Sequence, residues 1–385
     1  MREVAIIGVG CIKVGEHWDK SLRQLFAEAA LTALEDAGVD RVDGVYVGNL
    51  ASATLNSQQH LGALMADAMG MPGVEAVRVE AADASGGVAV HEAVRAVASG
   101  MLDLAVAGGV EKMTDAKLPD VEYAIMMSER REYVTHTGVT ITGLNAITAQ
   151  LYMSRFGAKY EDLVLFSVND HKNAVNNPYA QYPFPITVER VLESPMVADP
   201  IRLLDTPGVG DGAAAVVLCP MERAGEFTDT PIRVGASTVA TDVVNPYERE
   251  ELLTLSSTRT AAERAYEMAG VTPGDVDVVE VHDNSSVMGV IALEDLGFVE
   301  KGCGHKFVAE GEIEIGGKLP TNTFGGLKAR GHPWGATGVY QVVELVWQLR
   351  GEAGKNQVDG AEVGLAQNVG GTGATSCIHI LRRVD

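Results

Sequence analysis

Four short stretches of the chain combine reactive side chains with glycines that let the backbone come close to a ligand. They are AADASGG (81–87), EVHDNSS (280–286), TNTFGGLKARGHPWGATG (321–338) and AQNVGGTGA (366–374). The first precedes an apolar helical pattern, and the second and fourth follow strand-like runs. Acid, hydroxyl, imidazole and amide groups are therefore all available at predicted strand ends and helix starts.

The first stretch offers two functional side chains, Asp83 and Ser85. Backbone N–H groups at a helix start favour negative charge, which can activate a nucleophile or bind an oxyanion. Asp83 is equally suited to be an ordinary N-cap, with Ser85 or Gly86 in the first turn. The residue types alone favour the cap over catalysis.

Two histidines are candidate acid–base groups because imidazole titrates near neutral pH. His282 lies at the end of a buried strand, where ligands sit in α/β folds, although a lone histidine there is more often structural. His332 is surrounded by five glycines and a proline, which a solvated loop would not need. We therefore favour a functional interpretation for His332. In the fourth stretch, Gly370 and Gly371 could supply oxyanion-binding N–H groups.

Strand-like and helix-like segments alternate along the chain, which predicts an α/β fold. Residues 29–49 resemble 261–284, and residues 85–100 resemble 335–351 in the same order. Two internal similarities in the same order indicate duplicated halves. Residues 112–200 lack the alternation and are predicted to form a loop or lid insertion. This gives 1–111 with 201–222 as the first half and 223–385 as the second.

Composition sets limits on partners and compartment. The 385 residues are 46% hydrophobic and carry a net charge of −22, which argues against nucleic acid and anionic membranes as partners. The four cysteines are scattered without metal-binding spacing, so we expect no metal site and a cytoplasmic protein with reduced thiols.

Together the four stretches resemble the thiolase superfamily, in the same order and at similar spacing over nearly the full chain. GHPWGATG (331–338) is the most specific match, and AGGVEKM (107–113) supports it. HD at 282–283 and QNVGG at 367–371 look like the archaeal and sterol-carrier-type branch. The resemblance implies two βαβαβαββ halves in a five-layered α-β-α-β-α core. It also implies coenzyme A thioesters as substrates, without a permanently bound cofactor.

The resemblance also implies roles for particular residues. A family cysteine takes the acyl group, a histidine at the His332 position activates it, and the residue at the His282 position helps hold a thioester oxygen. Asp83 stands where the nucleophilic cysteine is expected, and Asn284 stands where the second cysteine is expected. The C-terminal alternative for that second position is Asn368. Both sulfur functions are therefore missing.

Two replacements for the nucleophile remain open. Asp83 is a poor acyl carrier because its mixed anhydride would be lost to water, but it is a plausible base. Ser85, activated by His282 or His332, is placed slightly ahead as nucleophile. The substrate-binding positions are then Asn284, Asn322, Gly370 and Gly371.

Three functions are consistent with the sequence. The first is an acyl-CoA C-acyltransferase of the acetyl-CoA/acetoacetyl-CoA class with a non-cysteine site. The second is a lyase or aldolase that acts on a coenzyme A thioester through an enolate, without an acyl-enzyme. The third is a catalytically silent subunit. The resemblance further implies a homodimer or dimer of dimers, with a possible small partner carrying a zinc ribbon and an OB-fold.

Overall fold

The computed structural model describes residues 1–384. Its eleven strands are β1 (Val4–Cys11), β2 (Gly44–Gly48), β3 (Glu75–Val79), β4 (Ala105–Glu111), β5 (Met196–Ala198), β6 (Ile201–Arg202), β7 (Gly212–Pro220), β8 (Ile232–Thr241), β9 (Val278–Glu280), β10 (Val363–Gly370) and β11 (Thr375–Arg383).

The α-helices of the same residues are α1 (Leu22–Ala37), α2 (Ser52–Leu55), α3 (Leu61–Ala68), α4 (Ser85–Ser99), α5 (Leu118–Met126), α6 (Ile141–Phe156), α7 (Tyr160–Leu163), α8 (Leu165–Ala174), α9 (Val188–Glu193), α10 (Ser256–Ala269), α11 (Ser286–Asp295), α12 (Gly304–Ala309) and α13 (Trp334–Arg350). None of these helices combines the length and the hydrophobicity that a membrane span requires.

Nine strands form one hydrogen-bonded sheet in the order β3-β2-β4-β7-β1-β8-β11-β10-β9. The first five strands come from the N-terminal part of the chain and the last four from the C-terminal part. The two parts are joined only by a short antiparallel pairing of β1 with β8, between Val4–Ile6 and Ile232–Val234. Each part is thus a mixed sheet of its own, which agrees with the predicted duplication.

Helices α4 and α13 lie between the two sheet halves, since each contacts strands of both. Helix α13 is buried on nearly all sides, as a helix between two apolar sheets must be. Helices α1 and α3 cover the outer face of the first half, and α10 covers the outer face of the second. The expected five-layered α-β-α-β-α core is therefore confirmed.

Small residues bring the starts of the two central helices together. A Cβ atom on Gly109 would lie 2.2 Å from the carbonyl oxygen of Gly335, and one on Gly86 would lie 2.7 Å from the same oxygen. Only glycine fits at such distances. The first turns of α4 and α13 consequently meet at the centre of the molecule, and they carry the loops of Asp83 and His332 with them.

Residues 112–200 contain helices α5 to α9 and strand β5. Strand β5 pairs with β6, which lies just beyond residue 200, so the folded insertion runs slightly past the predicted boundary. Helix α6 packs on the β5–β6 pair and on α11 of the C-terminal half. The insertion is therefore a largely helical layer over the centre of the molecule. Its action as a lid stays a prediction.

Candidate active site

The four stretches singled out in the sequence meet at one point. Asp83 precedes α4, His282 follows β9, His332 precedes α13, and Gly371 follows β10. The rings of His282 and His332 are perpendicular to each other, with centroids 5.0 Å apart. The convergence of the two imidazoles on the opening turn of α4 is the central geometric feature of the site.

The turn before α4 directs Asp83 and Ser85 differently. Ala82 adopts a left-handed backbone conformation (φ 53°), which turns the chain sharply before the helix. The Ser85 hydroxyl donates to the Ala82 carbonyl oxygen and accepts from the Ala81 N–H at 3.0 Å. Ser85 is fully buried and closes the turn through backbone contacts. Its side chain is thus occupied locally.

The side chain of Asp83 points to the histidines instead of capping the helix. The N-cap residue of α4 is Ala84, so the N-cap interpretation of Asp83 is wrong. Oδ1 of Asp83 accepts the Gly371 N–H at 2.6 Å. Oδ2 lies 3.4 Å from Nε2 of His282 and 3.4 Å from Nε2 of His332. The carboxylate therefore lies between the Gly371 N–H and the Nε2 atoms of both imidazoles.

Neighbouring residues fix the tautomer of His282. The Asn368 side-chain oxygen accepts the Gly87 N–H at 3.1 Å, which orients its amide group. The Asn368 NH₂ group then donates to Nδ1 of His282 at 3.2 Å. Because Nδ1 acts as the acceptor, the proton of the neutral ring is on Nε2 and faces Asp83. His332 is held through Nδ1 by the Thr337 hydroxyl at 2.7 Å.

Asp83, His282 and His332 are also a group that could in principle hold a metal ion, since their ligand atoms lie within 4.8 Å of one another. A ligating Nε2 must be free of its proton, and Nδ1 must then donate to an acceptor. At His282 the group opposite Nδ1 is the Asn368 NH₂, itself a donor. As folded, the cluster is arranged to hydrogen-bond a carboxylate rather than to coordinate a metal.

The protonation states follow from burial and these contacts. Burial favours the neutral form of Asp83, but interactions with His282 and His332 outweigh it and hold its pKa well below the usual range. Burial lowers the pKa of His332 to about 4, so this ring is uncharged at neutral pH. Under those conditions the Gly371 N–H donates to the Asp83 carboxylate, and both imidazoles lie 3.4 Å from it.

A cavity of about 350 Å³ opens onto Asp83, Asn284 and His332. Asn284 accepts a hydrogen bond from Asn145 through its side-chain oxygen at 3.0 Å, which leaves its NH₂ group as a donor. The rest of the lining is mostly apolar and comes largely from the insertion and from Trp334. The cavity can thus accept an apolar group next to the carboxylate.

Three predicted substrate-binding residues, Asn322, Gly370 and Gly371, do not line this cavity. Asn322 is fully buried, and its side-chain oxygen accepts the Val281 N–H at 2.7 Å, which supports the strand end that carries His282. Gly370 packs against the backbone, since a Cβ there would lie 2.5 Å from the Ala81 carbonyl oxygen. The N–H of Gly371, which was expected to bind a substrate oxygen, donates to Asp83 instead. All three residues therefore support the site from behind.

The cysteines also lie away from the cavity. Cys377 pairs in register with Asn368. It is fully buried against the first turn of α4, and burial raises its pKa, so it remains a thiol. No sulfur atom of the described residues replaces the two missing family cysteines.

A buried cluster of three charged side chains, which the sequence did not reveal, links the two histidine loops. Lys328 lies in a single turn of π-helix (Gly326–Arg330) and contacts Asp283, the neighbour of His282, and Asp170 at 2.8 Å. All three side chains are fully enclosed. The contact between Lys328 and Asp170 was not foreseeable because the two residues are far apart in sequence. The cluster fixes the His282 loop relative to the loop that leads to His332.

His332→Asn should remove part of the acid sensitivity of folding. His332 stays neutral in the native state down to about pH 4, whereas an unfolded histidine titrates near 6.5. As pH falls between these values, only the unfolded chain gains the proton, so native stability is lost. The stability difference between wild type and variant should fall by about 3 kcal/mol from about pH 7 to about pH 4.

Denaturant titrations of both proteins at several pH values would measure this difference. The asparagine keeps a donor for Asp83 but does not titrate in this range. A difference that does not change with pH would contradict the proposed neutral state of His332.

Comparison with known proteins identifies the family of the chain. Family models match residues 4–222 (thiolase, N-terminal domain) and residues 239–383 (thiolase C-terminal domain-like). The chain is 50% identical to an acetyl-CoA acetyltransferase of Methanothermobacter thermautotrophicus, with all of both chains covered. It is 32% identical to human sterol carrier protein 2, covering 97% of this chain and 71% of the relative.

Among solved structures, the Ltp2-ChsH2(DUF35) aldolase superposes with a TM-score of 0.85 at 27% identity, covering 99% of this chain and 97% of the other. Both halves of the chain thus match thiolase domains. The chain belongs to the thiolase family.

Proposed function

We propose that this protein makes or breaks a carbon–carbon bond next to a coenzyme A thioester through an enolate, without a covalent acyl-enzyme. The observation that carries the proposal is the placement of Asp83. Its carboxylate faces the cavity and both imidazoles at the position expected for the nucleophile. The Ser85 hydroxyl, in contrast, is engaged with the backbone of its own turn.

A carboxylate at this position suits proton transfer better than acyl transfer. An acyl group on Asp83 would be a mixed anhydride, which water hydrolyses readily. As a base, Asp83 would take a proton from the carbon next to the thioester carbonyl. The electron pair of that C–H bond would then form the C=C bond of the enolate, with the negative charge on the thioester oxygen.

The hydrogen bonds around Asp83 link its basicity to substrate binding. A thioester oxygen that takes the N–H of one histidine removes a donor from Asp83, and an acyl group in the cavity displaces water. Both changes make the carboxylate a stronger base when substrate is present. The released N–H and the Asn284 NH₂ group would stabilise the enolate oxygen. The enolate carbon then attacks a carbonyl carbon, or the reverse sequence cleaves the bond.

The comparisons support this class of chemistry. A structural neighbour over nearly the whole chain is an aldolase by name. The relative with 50% identity is named as an acetyl-CoA acetyltransferase, and this observation favours a second candidate. That candidate is a C-acyltransferase that makes or cleaves 3-ketoacyl-CoA, with Ser85 or Asp83 as the acyl carrier.

One experiment on the full-length protein separates these candidates. The protein is incubated with acetyl-CoA in D₂O, and deuterium in the acetyl group is followed by NMR while intact mass reports any acyl adduct. Exchange without an adduct is expected. A stable acyl adduct on Ser85 or Asp83 would support the acyltransferase instead. Absence of both, with or without a partner protein, would indicate a silent subunit.

Assembly is proposed on separate observations. Leu118, Val197 and Leu203 line the cavity and yet are 60%, 49% and 51% exposed. Such an apolar rim is typical of a protein contact surface. The cavity lining also contains no lysine or arginine for the phosphates of coenzyme A. We therefore retain a homodimeric core and a small zinc-ribbon/OB-fold partner at this rim as proposals.

The named structural neighbour is itself a two-component complex, which agrees with a partner subunit. Co-expression with such a small protein from the same genome should give a stable complex. Leu203→Glu should weaken this complex but leave the fold intact. Full activity of the chain alone, unchanged by the partner, would count against the proposal.

A further inference from the structure

A second buried carboxyl group lies next to Asp83. Glu129, from the insertion, accepts the N–H of Thr372 through Oε1 at 2.6 Å. The preceding N–H, that of Gly371, donates to Asp83 at 2.6 Å. Two consecutive N–H groups of one turn therefore each hold one carboxyl group. Gly371 has a φ of 60°, and a Cβ there would lie 2.5 Å from Glu129 Oε1, so only glycine fits between them.

The carbonyl side of Thr372 is held by Arg249. Its Nη1 donates to the Thr372 carbonyl oxygen at 2.7 Å. The Arg249 side chain is only 3% exposed, and Glu129 is 5% exposed. Glu129 Oε2 and Arg249 Nη2 are both buried without a hydrogen-bond partner. Glu129 thus accepts the Thr372 N–H, and Arg249 donates to the Thr372 carbonyl oxygen.

We call Glu129 and Arg249 the inner pair. Their sequence neighbours, Arg130 and Glu248, form an outer pair. Arg130 and Glu248 make a salt bridge of 2.7 Å, with side chains 43% and 48% exposed. Both pairs come from two Glu–Arg dipeptides, at 129–130 and at 248–249, which lie against each other. One pair reaches inward to the active-site turn, and the other stays at the surface. The outer pair is therefore a natural control for the inner pair.

We propose that Glu129 and Arg249 are positioning residues that hold the Gly371–Thr372 turn so that the Gly371 N–H is aimed at Asp83. The inference rests on the proposed role of Asp83 as a base. The turn follows β10 directly, and the described contacts that fix Thr372 come from these two side chains. Removing either one loosens the turn and, with it, the Gly371 N–H that donates to Asp83.

The expected kinetic effect is on catalysis and not on binding. Glu129→Ala and Arg249→Ala should each lower kcat for α-proton exchange by about a hundredfold, because a base displaced by about 1 Å loses that much. KM should change less than about twofold, since neither side chain lines the cavity that opens onto Asp83. Glu129→Gln should restore most of kcat, because its amide oxygen still accepts the Thr372 N–H.

Hydrogen–deuterium exchange of the backbone, measured by mass spectrometry, gives a readout that needs no activity. The peptide covering 366–374 should exchange faster in Glu129→Ala and Arg249→Ala than in wild type. Arg130→Ala and Glu248→Ala should leave both this peptide and kcat unchanged, since exposed ion pairs contribute little. Thermal unfolding checks that every variant is folded.

The outcomes distinguish the two proposals. If wild type catalyses no exchange of substrate protons, the proposed function fails, and the peptide measurement still tests the positioning role. If the inner-pair variants keep wild-type kcat and wild-type peptide protection, the positioning role is overturned. Equal losses in the inner-pair and outer-pair variants would also overturn it, because they would reflect general destabilisation.

Discussion

Asp83→Asn should lower the rate of α-proton exchange from acetyl-CoA by about a thousandfold, the usual contribution of a positioned base. The asparagine oxygen still accepts the Gly371 N–H that Asp83 accepts at 2.6 Å, so the turn is kept. Its amide cannot take a proton from carbon, and its NH₂ group would face the Nε2 atoms of His282 and His332. The measurement is deuterium incorporation followed by NMR at saturating substrate.

Ser85→Ala is the matched control two residues away. Loss of the hydroxyl removes the hydrogen bonds to the Ala81 N–H and the Ala82 carbonyl oxygen, at a cost of about 1 kcal/mol in folding stability. Exchange should stay within about threefold of wild type, since the hydroxyl does not face the cavity. If Ser85→Ala abolishes activity and Asp83→Asn does not, the nucleophilic serine is correct and the base proposed here is not.

The meeting of the four stretches was predictable because each follows a strand or precedes a helix of recognisable pattern. Once two duplicated halves pack face to face, the starts of α4 and α13 must lie together, and the small residues at Gly86, Gly109 and Gly335 permit it. The position of His332 therefore followed from the motif in which it stands. The strand before His282 covers Val278–Glu280, so only Val281 separates its end from the histidine.

The direction of individual side chains was less accessible to sequence reasoning. The left-handed conformation of Ala82 decides whether Asp83 or Ser85 faces the histidines. An alanine in the sequence does not indicate that conformation. The contact of Glu129 with Thr372 joins residues that are 243 positions apart. Glu129 stands in a charged run that looks like a solvated surface, and only the fold of the insertion buries it. Local patterns carry no information about such distant contacts.

Asp83→Cys should turn the site into one that carries an acyl group. A thiol at this position would lie near the Nε2 atoms of His282 and His332, which are each 3.4 Å from the present carboxylate oxygen. His332 is neutral at neutral pH, since burial lowers its pKa to about 4, and it can therefore accept the thiol proton. Incubation with acetyl-CoA should add about one acetyl group per chain, seen by intact mass.

Ser85→Cys in the wild-type background separates position from the mere presence of a thiol. That sulfur would be enclosed in the turn between Ala81 and Ala82 and should remain unmodified. Adding His332→Ala to Asp83→Cys should slow acylation by about a hundredfold or more, because the base that activates the thiol is gone. An Asp83→Cys protein that stays unacylated while folded would mean that the cavity does not present thioesters to this position. In that case the base proposed for Asp83 would lack its substrate as well.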